Sequence, residues 1–190
     1  MSSIQKIIDV RVHGRGGQGA MTASRLLAEA ALLEGKYIHA FPSFGPERMG
    51  APIEAFTRIS SEKFYVKTQV YEPDVLLVLD PTLFDSIDVT QGLVTDGKII
   101  ANYPHAPEVL REKLAISQQI ATVDATNIAL NTIRRPITNT VLLGALIRVA
   151  ENIVELDSLK KVVTNWFPKP IAENNIIAID RAYNEVKISE

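Results

Sequence analysis

The chain of 190 residues contains no cysteine. That excludes disulfides, thiolate nucleophiles, cysteine-ligated zinc and cysteine-held iron–sulfur clusters. Neither charge is in excess: 20 Lys and Arg stand against 22 Asp and Glu, a formal charge of −2. With no long basic run, nucleic-acid binding has no electrostatic support. No apolar run approaches the roughly 20 residues that span a bilayer. The opening MSSIQKIIDV has no apolar core of a secretory signal. The expectation is a soluble cytoplasmic protein without membrane or nucleic-acid partners. The three histidines, His13, His39 and His105, are far apart and lack metal-ligand spacing. No G-x-S-x-G, P-loop or H-E-x-x-H occurs, and Asn174-Asn175 has no upstream G-D-G with which to hold thiamine diphosphate. There is no catalytic residue to assign, and the chain reads as part of a machine rather than a complete enzyme.

What is present is globular. Hydrophobic residues make up 46% and charged residues 22%, which suits one domain over residues 1–190 with a sizeable core. Ile7 to Val12 alternates apolar with polar and predicts a strand with one polar face. Gln18 to Glu34 predicts a mostly apolar helix with Gly35 suited to its end. Tyr37 to Phe41 predicts a second strand, and the proline- and glycine-rich Pro42 to Pro52 a long loop. Ile53 to Ile59 and Phe64 to Lys67 predict an antiparallel hairpin across SSEK. Asp74 to Asp80, an apolar run between carboxylates, predicts a central strand covered on both faces. Further strands are expected at Lys98 to Ala101 and Ile120 to Val123, with a helix over Pro107 to Leu114 between them. Helices are expected from Thr138 or Asn139 to Val149, from a cap at Asp157 to before Pro168, and from Pro170 onward. Gly144, inside the first of these, predicts a close-packed neighbour. The order predicts a three-layer α/β/α, Rossmann-like domain with a mixed, mostly parallel sheet.

The motif HGRGGQGA, His13 to Ala20, places four glycines within six residues between the first strand and the first helix. Gly14, Gly16 and Gly19 satisfy G-x-G-x-x-G, the pattern that brings backbone amides close to a pyrophosphate. A dinucleotide site also needs an acid at the end of the second strand to hold the ribose. Here that end reads Ala40, Phe41, Pro42, and Glu34 lies before the strand. A free-standing dinucleotide enzyme therefore lacks its second signal, and a tight turn serving only helix–sheet packing stands as the plain alternative. The loop FGPERMGAP carries Glu47 and Arg48 and should gather at the same sheet edge. Arg15 and Arg48 could together hold a phosphate, or each could form a surface ion pair. Asp80 could reach a ligand or cap the turn at Pro81.

HGRGGQGA, AFPSFGPERMGAPIEAFTRIS, DVLLVLDPTL, VDATNIAL and RRPITNTVLLGAL together resemble the gamma subunit of 2-oxoacid:ferredoxin oxidoreductases, most of all the pyruvate enzyme (pyruvate synthase). The resemblance runs from about Val10 to about Val186. It implies an α/β subunit of an enzyme that converts pyruvate and coenzyme A to acetyl-CoA and carbon dioxide, with electrons passing to ferredoxin. It implies alpha, beta and delta partners carrying thiamine diphosphate, Mg and iron–sulfur clusters, and a role for this chain in binding coenzyme A over the active-site region. By position, Gly14, Arg15, Gly16, Gly17, Gln18 and Gly19, together with Glu47 and Arg48, fall in the family's two signature loops. Asn139 and Thr140 match the NT before its LLGAL helix. Branched-chain, aromatic and 2-oxoglutarate enzymes share much of the pattern, so the 2-oxoacid stays open. A purely structural adaptor, whose loops serve only subunit contacts, is the remaining reading.

Overall fold

A computed structural model of the chain describes residues 7–42, 49–66 and 68–189. The first strand, β1 (Ile7–Arg15), leads through the glycine loop into α1 (Ala20–Leu33), followed by β2 (Tyr37–Pro42) and β3 (Pro52–Ser60). Next come β4 (Val75–Val78), a 3-10 turn at Pro81–Asp85, β5 (Lys98–Asn102), α2 (Pro107–Leu114) and β6 (Gln119–Val123). The chain closes with α3 (Ala125–Thr132), α4 (Asn139–Val149), α5 (Leu156–Trp166), α6 (Lys169–Glu185) and β7 (Lys187–Ile188).

Among the described residues seven strands join one sheet in the order β2-β3-β1-β4-β5-β6-β7. β1, β4, β5 and β6 run parallel. β3 is antiparallel to both β1 and β2, and β7 is antiparallel to β6. The sheet is mixed, as the sequence predicts, with three of its six strand pairings parallel and three antiparallel. Period-two alternation divides its central strands between two cores. Leu77, Ile100 and Ala121 join Val10 and Val12 on the face covered by α1 and α3 to α6. Leu76, Val78, Ile99, Ala101 and Ile120 face the other way, onto Leu83, Phe84, Val89 and Leu110. Every residue of β4 is buried, the mark of a strand covered on both sides.

The layers are unequal. One face carries five helices; the other carries α2, the 3-10 turn and, over β1, the loop containing Val89 and Gln91. Gly144 marks the tightest helix contact, since a methyl group there would run into the carbonyl oxygen of Ile179 on α6.

Two local expectations are corrected. Residues 64–66 form no strand, and the expected hairpin with β3 has no place because β1 and β2 occupy both edges of β3; Lys67 lies outside the described residues. β1 has the expected polar face, and its Arg11 and His13 are buried. α5 is entered from Glu155, with Asp157 in its first turn rather than at its cap. α3 and β7 were not anticipated. Asp124 does announce α3, accepting a hydrogen bond from the Asn127 amide at 3.0 Å.

Candidate functional site at the carboxyl edge of the sheet

Successive strands leave β1 in opposite directions, β3 and β2 on one side and β4 onward on the other. In open α/β sheets ligands bind outside the carboxyl ends of the strands beside such a switch point. The glycine loop after β1 and the Asp80 turn after β4 meet there. Gly17 and Gly19 adopt φ of +93° and +81°, left-handed values that suit glycine. Gly19 is also the N-cap of α1, which receives no side-chain cap. The amides of that first turn have no intrahelical acceptor.

Each glycine also has a neighbour within the chain. A methyl group on Gly14 would lie 3.2 Å from Leu79 Cδ1, and one on Gly17 3.2 Å from Met49 Cε. On Gly19 it would collide with the side-chain amide of Asn139. Gly16 pairs with the strand-like segment Met49 to Ala51, donating to the Ala51 carbonyl at 2.9 Å and accepting from the Gly50 amide at 3.1 Å. The two signature loops are therefore joined, as their placement on one edge predicts. Asn139 Nδ2 donates to the Gly19 carbonyl at 3.3 Å, tying α4 to the same loop.

Arg15 links three segments. Its Nε and Nη2 donate to Thr82 Oγ1 at 3.1 and 2.7 Å, and its Nη1 to the Gly50 carbonyl at 3.1 Å. Asp80 Oδ2 lies 3.3 Å from Nε. Gln18 closes the circuit, with Oε1 accepting from the Arg15 amide at 2.7 Å and Nε2 donating to Asp80 Oδ2 at 2.6 Å. Asp80 Oδ1 accepts from the Thr82 amide at 2.9 Å and from its hydroxyl at 2.6 Å, so Asp80 caps the turn at Pro81 and also reaches the loop. Burial alone would raise the Asp80 carboxyl. Hydrogen bonds from Thr82 and Gln18, with Arg15 beside them, hold its pKa below the ordinary value.

Beneath the loop lies a buried polar cluster. Arg11 Nε donates to His13 Nε2 at 3.0 Å, and Arg11 Nη2 to the carbonyls of Val89 and Gln91 at 3.1 and 2.6 Å. Because Nε2 accepts, the neutral imidazole carries its proton on Nδ1, which lies 3.6 Å from Glu54 Oε1. Burial first, and the Arg11 charge second, lower the His13 pKa to about 3. This histidine packs; it does not exchange protons near neutrality.

Gly14 to Gly19 and Asn139 thus come together at one edge. Thr140 does not: it is buried, its hydroxyl bonded to Asn175 Oδ1 at 2.5 Å between α4 and α6. Glu47 and Arg48 lie outside the described residues. Sequence reasoning missed Thr82 and the Gly50 carbonyl as partners of Arg15. The Asp-Pro-Thr that follows the apolar run was the available signal for Thr82, as an acid-capped turn at a strand end. Among the described residues no cluster of acids and histidines could hold a metal ion, and no helix is long and apolar enough to cross a membrane.

The architecture and site define a class: a Rossmann-like α/β domain with a braced glycine loop at its switch point. β3 sits between β1 and β2, and β2 ends in Ala40, Phe41 and Pro42, so the ribose-binding acid of a dinucleotide fold is missing here too. The family model for pyruvate ferredoxin/flavodoxin oxidoreductase matches residues 9–185. The common gamma subunit of the pyruvate/ketoisovalerate oxidoreductases of Pyrococcus furiosus is 49% identical over 185 residues, covering 97% of this chain and 100% of that protein. The pyruvate synthase subunit PorC of Methanocaldococcus jannaschii is 43% identical over 180 residues, covering 95% and 97%. The crystal structure of the pyruvate oxidoreductase subunit PORC of Thermotoga maritima superposes with a TM-score of 0.87 at 44% identity, over 98% of this chain and 100% of that one. The chain belongs to the pyruvate ferredoxin/flavodoxin oxidoreductase family, as a gamma-type subunit of an oxidoreductase.

Proposed function

We propose that this chain is the gamma subunit of a pyruvate:ferredoxin oxidoreductase, in which pyruvate, coenzyme A and oxidised ferredoxin give acetyl-CoA, carbon dioxide and reduced ferredoxin. On this reading it assembles in the cytoplasm with alpha, beta and delta subunits. Those partners hold thiamine diphosphate, Mg and the iron–sulfur clusters, consistent with the absence of cysteine here. The glycine loop then faces the phosphates of coenzyme A, and the domain helps to cover the thiamine site. The observation that supports this role is the uncapped N-terminus of α1, set behind an exposed Gly17 at the switch point. In the intact complex, Arg48→Gln should raise the apparent KM for coenzyme A by roughly tenfold, the scale of one charge-assisted contact, and leave that for pyruvate nearly unchanged. Equal rises in both would remove the coenzyme A role and favour an assembly role.

A second reading concerns the 2-oxoacid. The Pyrococcus relative is named a subunit common to pyruvate and ketoisovalerate oxidoreductases. A chain of this kind can serve two sets of catalytic partners. Affinity purification of this chain should then recover two alpha–beta sets with separate 2-oxoacid preferences. A single set active on pyruvate alone would restrict it to that enzyme.

A further inference from the structure

The Arg15 contacts carry one step further. Three of the five guanidinium donors are engaged by Thr82 and Gly50, which leaves one N–H on each terminal nitrogen without an acceptor among the described residues. The side chain keeps 26% of its surface exposed. An arginine on a surface loop loses rotamer freedom when it binds a ligand unless something fixes it beforehand. Here Thr82 Oγ1 accepts from two of its nitrogens while donating to Asp80 Oδ1, so the hydroxyl is fixed from both sides. The other carboxylate oxygen, Asp80 Oδ2, holds Gln18, whose opposite end holds the Arg15 amide. Side chain and backbone of the same residue are thus fixed by a single carboxylate, 65 positions away in the chain.

We propose that Asp80 and Thr82 are positioning residues: together they set the Arg15 guanidinium and, through Gln18, hold the glycine loop in its ligand-ready shape. The ligand class selected by two donors without an acceptor among the described residues, on a planar, permanently charged group, is a phosphate or carboxylate. Its assignment to the phosphates of coenzyme A rests on the function proposed above. Asp80 carries no chemistry of its own. It also offsets the Arg15 charge, so an anion at this site meets directed donors rather than a bare positive patch.

Thr82 is exposed, so a substitution there leaves the core intact. Thr82→Val keeps the shape of the side chain and removes Oγ1; Thr82→Ser restores it; Asp80→Asn tests the carboxylate. Each variant is placed in the intact complex. Hydrogen exchange is followed on the peptide covering residues 14–19, and KM is measured separately for coenzyme A and pyruvate. The expected result is faster exchange in Thr82→Val and Asp80→Asn, recovery in Thr82→Ser, and a KM for coenzyme A raised roughly tenfold with that for pyruvate within about twofold. Unchanged exchange in both Thr82→Val and Asp80→Asn overturns the proposal, whatever happens to KM. Faster exchange with an unchanged KM for coenzyme A upholds the brace and instead removes coenzyme A as the ligand it serves.

Discussion

At 1% exposure, His13 stays neutral down to about pH 3, because burial and the Arg11 charge both oppose its protonation. In the unfolded chain the same group titrates near its ordinary 6.5. Between those values the unfolded chain binds the extra proton, so acid favours unfolding. The His13 contribution is complete above pH 6.5 and is lost as pH falls toward 3, at up to about 1.4 kcal/mol per pH unit. Urea denaturation across that range should show the slope, and His13→Gln should reduce it by about one proton. An unaltered slope in the variant would contradict the assignment. Gly19 makes a second residue-scale case. Gly19→Ala forces a left-handed backbone onto alanine and collides with Asn139, so it should cost at least about 1–2 kcal/mol. The glycine spacing was legible because backbone conformation leaves its mark on local sequence. The partners of Arg15 were not, since Gly50 and Thr82 lie 35 and 67 positions away and only the sheet brings them to its edge. The burial of Arg11 and His13 was hidden for the same reason: alternation predicts two faces, but not that the loop carrying Val89 covers the polar one.

Elements were read correctly where a periodic pattern met a single packing solution. The β4 run, covered on both faces, and α4, with glycine at its contact with α6, are of that kind. Gly144→Ala should lower stability by about 1–3 kcal/mol, the usual cost of overpacking, because its methyl group meets backbone that cannot turn aside. A melting temperature equal to wild type would refute that contact. Thr140→Val separates structure from binding at the next turn. It leaves Asn175 Oδ1 without its buried donor, at a cost of about 1–3 kcal/mol, and should not change the KM for coenzyme A. The misread element is equally instructive. Residues 64–66 carry a strand-like pattern, yet a hairpin with β3 needs a free edge there, and β1 and β2 take both. A two-residue strand such as β7 exists only through its pairing with β6, so nothing local could announce it.

Among the described residues the molecule has five helices on one sheet face and a thinner layer on the other, with the braced loop at the carboxyl edge between β1 and β4. The chain belongs to its family as a gamma-type subunit, and the function proposed for it places turnover in the assembled enzyme. The isolated polypeptide should therefore show no pyruvate-dependent reduction of ferredoxin, and turnover by it alone would contradict that reading. In the function proposed above, residues 14–19 form a preset surface facing coenzyme A. Hydrogen exchange of the intact complex with and without coenzyme A tests it most directly. Slower exchange confined to the glycine loop and the paired Met49 to Ala51 segment is the predicted result. Exchange there that is identical with and without coenzyme A would contradict it.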